Sequence, residues 1–378
     1  MRNVENIPSE VMTLILLKLS VISLLRCKCV CKTWYALIKN PSFISTHLKS
    51  HNNDDSHLVV RNCNYNCDPG YPFLYAVFID KTLKDLSYQV LDSQLPIPGE
   101  LFGPYDGLFL LYQKEYNRIY LLNIATRETR ALPQCRFVVP NMTLATRFYF
   151  GCGYDPLSDD YKLVFLRQFS DENGYDDVLD SHVSLYSFNN DSWRDLQVAE
   201  LRRYFWVEYS SQNSYLNGVC HWLALREMGS KYVILSFDIS SEIFQEIDLP
   251  THPLNGGCSM LEVVNDSLYL LTGSYNPEFE FSIWMMRDGC WTIRLTSTHD
   301  YENGPMRYWK NDTIFMSHGL GAEHLLLLDL NSKEEIDLGI PWVARDDVFR
   351  YNESLVSIKR ENDFSEVFDI PWHVFGVI

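Results

Sequence analysis

Cys27, Cys29 and Cys31 are the most closely spaced thiols in the chain, and a thiolate cluster is the first chemistry to test. Zinc needs four donors converging tetrahedrally on one point. On a helix Cys27 and Cys31 share a face while Cys29 points elsewhere, so a site here would need ligands from far along the chain. Small thiols packed between helices are the simpler reading. His318 and His324 flank Gly319-Leu320-Gly321-Ala322-Glu323, which reads as a polar loop and not as a metal site. There is no Gly-x-Ser-x-Gly elbow, no phosphate-binding P-loop and no histidine pair at helical spacing. No catalytic residue, metal ligand or cofactor is expected. The chemistry left is recognition. One segment stands out for it: Asp171, Glu172, Asp176, Asp177 and Asp180 lie within ten residues between two predicted strands. Loops held by a rigid scaffold commonly carry binding, and this one suits a basic protein.

The charge is split along the chain. Residues 1–50 hold seven Lys/Arg and two acids, a net of +5, and the remaining 25 bases and 47 acids give −22. A basic head and a strongly acidic body imply two surfaces with two kinds of partner. Nucleic acid is excluded for the body, because its phosphates would be repelled. The start, Met1-Arg2-Asn3-Val4-Glu5-Asn6, leads into an apolar run broken by Lys18 and does not read as a cleavable signal. No stretch is long and apolar enough for a membrane span. A cytoplasmic protein with free thiols is expected, in which the sequons at Asn141, Asn190, Asn265, Asn311 and Asn352 are fortuitous.

Helical period dominates the first 48 residues. Ser9 is a candidate cap and Glu10 suits the first turn of a helix. Val11, Leu14 and Ile15 form one apolar stripe, and Met12, Ile15, Leu16 and Leu19 another. Ser20 is a second candidate cap, ahead of Leu24, Leu25 and Val30. A third helix over Trp34-Tyr35-Ala36-Leu37-Ile38 ends at Asn40-Pro41, since the residue before proline avoids the helical region. A fourth, short helix is expected from Phe43 to Leu48. So small a bundle cannot bury Leu16, Leu17, Leu19, Leu24 and Leu25 together, so some must face a partner. Leu16 and Leu19 are the expected anchors.

Beyond a polar stretch the period changes to two. Asp106-Gly107-Leu108-Phe109-Leu110-Leu111, then Ile119-Tyr120-Leu121-Leu122-Asn123 and Leu132-Pro133, make one unit. Asn217-Gly218-Val219-Cys220-His221-Trp222-Leu223, Ile234-Leu235-Ser236-Phe237-Asp238 and Leu249-Pro250 make another. Units recur near Asn265 and Leu325. Meanders of three or four strands repeating every 40–55 residues or so are the mark of propeller blades. About six are expected, with the last strands completing the first blade; a large twisted β-sandwich is the alternative. The fold class is therefore α+β and multidomain, a small all-α module followed by an all-β domain.

Ile7-Pro8-x-Glu10, Ile15-Leu16-x-x-Leu19, Leu24-x-Arg26, Val30-Cys31-Lys32-x-Trp34 and Leu37-Ile38 resemble the F-box motif. Ile7 stands where Leu is usual and Ser20 where Pro is frequent. The resemblance implies an F-box over residues 1–48, a linker at 49–57 and a substrate-binding domain at 58–378. It also implies docking on the Skp-type adaptor of a cullin ubiquitin ligase. Ile7, Pro8, Glu10, Ile15, Leu16, Leu19, Leu24, Leu25, Val30, Cys31 and Trp34 would be the contact residues. Gly151-Cys152-Gly153-Tyr154-Asp155 with Asp160-Tyr161-Lys162-Leu163-Val164 resembles the plant F-box-associated domain. Its S-locus F-box class recognises pistil ribonucleases in pollen, which makes a basic S-ribonuclease the implied substrate. Another plant protein of defence or hormone signalling, or a carbohydrate or small-molecule ligand, are the alternatives.

Overall fold

The computed structural model describes residues 8–51, 57–62, 73–79, 86–91, 99–135, 145–170, 178–198, 201, 204–207, 214–226, 231–250, 259–264, 266–275, 279–299, 307–309, 312–316, 324–341 and 347–358. Among the described residues four helices form the head: α1 (Ser9–Leu16), α2 (Val21–Cys27), α3 (Lys32–Lys39) and α4 (Pro41–His51). Two expected caps are not used. Pro8 holds the N-cap position of α1, so Ser9 lies inside the helix and accepts from the Thr13 hydroxyl at 2.8 Å. Ser20 does sit at the N-cap of α2, but its hydroxyl pairs with Ser23, and the Val21 N–H is taken by the Glu353 carboxylate at 2.9 Å. Cys31 caps α3 through its sulfur, which accepts from the Trp34 N–H at 3.5 Å. Asn40 ends α3 in an extended conformation and caps α4, accepting from the Ser42 N–H at 2.8 Å, with Pro41 in the first turn where its missing N–H costs nothing. Helix α4 runs from Pro41 to His51, longer at both ends than the expected Phe43–Leu48 and into the segment read as linker.

Among the described residues the body is a ring of six antiparallel sheets, numbered as blades 1 to 6 along the chain. Blade 2 shows the pattern: Glu100–Tyr105, Leu108–Gln113, Arg118–Asn123 and Glu128–Ala131 pair in order. Asp106-Gly107, Asn217-Gly218 and Asp288-Gly289 turn tightly between strands, with positive φ at both residues of each pair. Blade 1 is composite. Its strands His57–Asn62, Phe73–Ile79 and Leu86–Leu91 are completed by Asp347–Arg350, which pairs antiparallel with the first of them. The chain's late strand thus closes the ring on its first blade.

Alternation explains the closure. In the strand Leu108–Gln113, Leu108, Leu110 and Tyr112 pack with Phe148, Phe150 and Phe165 of blade 3, whereas Phe109 and Leu111 pack with Val59 and Phe349 of blade 1. Both faces are buried, so the run reads as continuous apolar residues. The same division recurs at every junction, including Leu58, Val60 and Val348 against Trp309, Phe315 and Leu327 of blade 6. Six blades share six apolar interfaces. A two-layer sandwich would leave outer faces uncovered, and that alternative is set aside.

The motif around Gly151 lies at the junction of blades 3 and 4. A methyl group on Gly151 would run into Cys220 and Trp222, and one on Gly153 into the Tyr215 ring. Gly153→Ala is expected to lower stability by about 1–3 kcal/mol, the usual cost of overpacking, read as a drop in denaturant midpoint. Asp155 and Lys162 pair at 2.7 Å, and Lys162 reaches Glu242 of blade 4 at 3.0 Å. Burial by itself would raise the Asp155 carboxyl. The donors from Lys162, Ser158, Ser240 and the Leu157 N–H outweigh it and hold the group well below the usual carboxylate range. A carboxyl depressed by folding stabilises the native state above its unfolded pKa, near 4, and loses that contribution as pH falls toward the folded value. Asp155→Asn is therefore expected to cost about 2 kcal/mol at pH 7 and to flatten the acid limb of the stability–pH curve in urea titrations.

Candidate functional site: the outward face of the helical head

The head has two sides. Inside, Leu16, Val21, Leu24, Ile38 and Phe43 form a core that also takes in Leu355 from beyond the closing strand. Met12, Leu17, Leu19, Leu25, Trp34, Leu37 and Ile44 pack around it, half-buried, together with Ala125 of blade 2. The Leu19 carbonyl is held by the His47 imidazole at 2.8 Å. Outside, Val11, Leu14 and Ile15 of α1, Ile22 of α2, Val30 before α3 and Tyr35 on α3 stand exposed, Leu14 by 63% and Val30 by 64%. Large apolar side chains left in water mark an interaction face, and Val11, Leu14 and Ile15 lie along one line of α1. Exposed Lys18, Arg26 and Lys32 belong to the same helices and loops and suit an acidic partner.

The expected contact residues divide between the two sides. Pro8, Glu10, Ile15 and Val30 are exposed. Leu16 and Leu24, at 1% and 0% exposure, belong to the head's own core and shape the outward face from beneath, which corrects the expectation that Leu16 is an outward anchor. Leu19, Leu25 and Trp34 lie at the margin. Cys31 is exposed, with its sulfur engaged in capping. Ile7 lies outside the described residues. Val11, Leu14, Ile22 and Tyr35 complete the face. Two of these, Val11 and Leu14, fall on an apolar stripe that period alone does not orient, because α1 is apolar on both sides.

A cleft of about 1360 Å³ separates the head from the ring. Lys28, Lys39, Ser42, Ser45 and Lys49 form its head wall, and Asp106, Tyr154, Asp159, Tyr161, Tyr215 and Asn217 its ring wall. Burial pushes the Lys28 amine down, Glu128 opposes this and the neighbouring Lys39 adds to it. Asp106 is pushed up by burial against the Tyr161 hydroxyl, which donates to it at 3.2 Å. The thiols of Cys152 and Cys220, between blades 3 and 4, are both pushed well up by burial, so both stay protonated and inert. The Cys27, Cys29 and Cys31 thiols are free, and among the described residues no group of three or more His, Cys, Asp or Glu is placed to hold a metal. His324 pairs with Asp337 at 3.0 Å, whereas His318 lies outside the described residues. Of the acidic run, Asp171, Glu172, Asp176 and Asp177 lie outside the described residues, and Asp180 enters the strand Val178–Ser187 at a register shift. No helix among the described residues is long and apolar enough to cross a membrane.

Comparison with known proteins agrees with this architecture. Residues 4–46 match the F-box domain and residues 83–318 the F-box associated beta propeller domain. The chain is 28% identical over 301 residues to F-box protein CPR1 of Arabidopsis thaliana, covering 75% of this chain and 70% of that protein. F-box protein At4g22390 of the same plant is 22% identical over 359 residues, covering 88% and 86% of the two chains. F-box protein At3g07870, also from that plant, is 24% identical over 343 residues, with 81% and 78% covered. A head of four short helices with an apolar outward face, carried on a closed ring of six blades, is thus a member of the F-box associated beta propeller family with an F-box domain at its front.

Proposed function

We propose that the chain is the substrate receptor of an SCF-type ubiquitin ligase. F-box proteins are substrate adaptors of such ligases and are not themselves catalytic. The observation that carries the reading is the exposed apolar group of Val11, Leu14, Ile15, Ile22, Val30 and Tyr35. In this role the head docks on a Skp-type adaptor, which joins it to the cullin, and the propeller holds the protein to be modified. The receptor makes no bond. It keeps a substrate lysine near the activated ubiquitin, at an effective concentration on the order of millimolar. Purified Skp-type adaptor should bind the full chain in a saturable titration; no binding at tens of micromolar adaptor sinks the reading.

The substrate surface is assigned to the ring and to a basic partner. Its support is the net −22 beyond residue 50 and the acidic run Asp171, Glu172, Asp176, Asp177 and Asp180. That run joins the strand Asp160–Ser170 to Val178–Ser187 at Ser170, the end away from Pro156 and Asp159 in the cleft. The finer reading, a basic pistil S-ribonuclease, rests on the resemblance of the Gly151–Val164 motif and on this charge. Affinity capture from the source tissue followed by mass spectrometry separates the cases. Adaptor, cullin and a basic secreted ribonuclease support it, whereas adaptor and cullin with a different substrate leave the receptor and remove the ribonuclease.

A further inference from the structure

The head does not hang on its linker. After the closing strand Asp347–Arg350, the segment 351–358 runs between the ring and the head and is held by both. On the ring side, the Asn123 amide donates to the carbonyls of Ser354 at 3.0 Å and Val356 at 2.7 Å. The Glu128 carboxylate accepts from the Ile358 N–H at 2.9 Å, and Val356 and Ile358 enter the core between blades 2 and 3. Gly107 lies so close that a Cβ there would strike the Asn352 carbonyl and Ser354. On the head side, Leu355 completes the core under α1 to α4 and Glu353 caps α2, 332 residues away in sequence.

We infer that residues 351–358 are a structural part of the docking head, so that adaptor binding and closure of the ring form one cooperative equilibrium. Opening the closing strand withdraws Leu355 and Glu353 and leaves α1 and α2 with an incomplete core and an open N-terminus. Binding that requires an intact head must then also hold the ring shut, and by linkage a loosened ring binds the adaptor more weakly. The consequence is functional. A chain whose ring has not closed cannot present a competent head, so the ligase recruits only receptors with a finished substrate platform. Leu355 and Glu353 act here as positioning residues.

This inference rests on the receptor reading, and the test keeps the two apart. Amide hydrogen exchange of the full chain is followed at residues 347–350 and in α2, with and without purified Skp-type adaptor. Free adaptor at a hundred times its Kd should slow exchange of the closing strand by up to about 100-fold. Leu355→Asp should lose at least tenfold in adaptor affinity and abolish that response, with Leu355→Met restoring both. Glu353→Gln, which leaves the ring core untouched, should speed exchange at the start of α2 and weaken adaptor binding several-fold. Should wild-type chain bind adaptor while its closing strand exchanges at an unchanged rate, the coupling is overturned. Failure of the wild type to bind any adaptor overturns the receptor reading instead. In that case the inference stands or falls on whether Leu355→Asp deprotects α2.

Discussion

Leu14→Asp is expected to weaken binding to a Skp-type adaptor by 30-fold or more without moving the melting temperature. The side chain is 63% exposed in the free chain, so a carboxylate there costs the fold almost nothing. Buried in an apolar interface, the same carboxylate has no partner and must be desolvated, which costs at least about 2 kcal/mol at a central position. Leu16→Ala should behave in the opposite way. Leu16 fills the core beneath that face, and its truncation should cost about 2–5 kcal/mol of head stability, with any loss of affinity following from it. Isothermal titration beside a thermal melt separates the two. Equal affinity of Leu14→Asp and wild type would move the docking face off α1, and with it the argument from exposure.

Why period placed the helices and did not orient them is clear from this pair. Helix α1 carries Val11, Leu14 and Ile15 along one line and Met12 and Leu16 along another that Leu19 continues beyond its end, and either satisfies a 3.6-residue repeat. The second line is the inner one because it packs on Val21, Leu24, Ile38 and Phe43 of the other helices and on Leu355, more than 300 residues later, in a segment with no regular period. The same distance hides the cap of α2. Ser20 has the right chemistry in the right place, but a carboxylate on the other side of the fold displaces it. The ring was far more legible. Runs such as Leu108-Phe109-Leu110-Leu111 are apolar at every position because the two faces serve different neighbours, and the tight Asp-Gly and Asn-Gly turns mark the hairpins. Even the completion of the first blade by a late strand was readable. The segment 351–358 belongs partly to the head, so a boundary drawn once near residue 57 assigns it to the ring alone.

Glu262→Gln should be among the most damaging single-atom changes in the ring. Glu262 lies on the innermost strand of blade 5, Ser259–Val264, with its side chain 5% exposed. Its carboxylate pairs with Arg307 of blade 6 at 3.1 Å and lies 3.9 Å from Arg350 on the closing strand. Arg350 also donates to the carbonyls of Trp309 and Val263, and the Arg307 guanidinium lies 5.8 Å from the centroid of the Phe349 ring. One anion thus holds two cations from the two blades that complete the circle. Replacing it with an amide of the same shape removes the carboxylate that faces both guanidinium groups in a largely buried site. Breaking a buried pair in this way costs about 3–5 kcal/mol, a large part of the 5–15 kcal/mol or so that keeps a typical domain folded. A matched control is Lys231→Ala. It removes an even shorter ion pair with Asp248, at 2.6 Å, but both side chains are more than half exposed, so screening and side-chain entropy should leave stability unchanged within error. In guanidinium titrations the midpoint of Glu262→Gln should fall markedly while that of Lys231→Ala stays in place, and a double change of Glu262 and Arg307 to methionine should recover much of the loss. If Glu262→Gln melts like the control, the ring is closed by its apolar interfaces alone and the charged tie between blades 5, 6 and 1 contributes nothing to holding it shut.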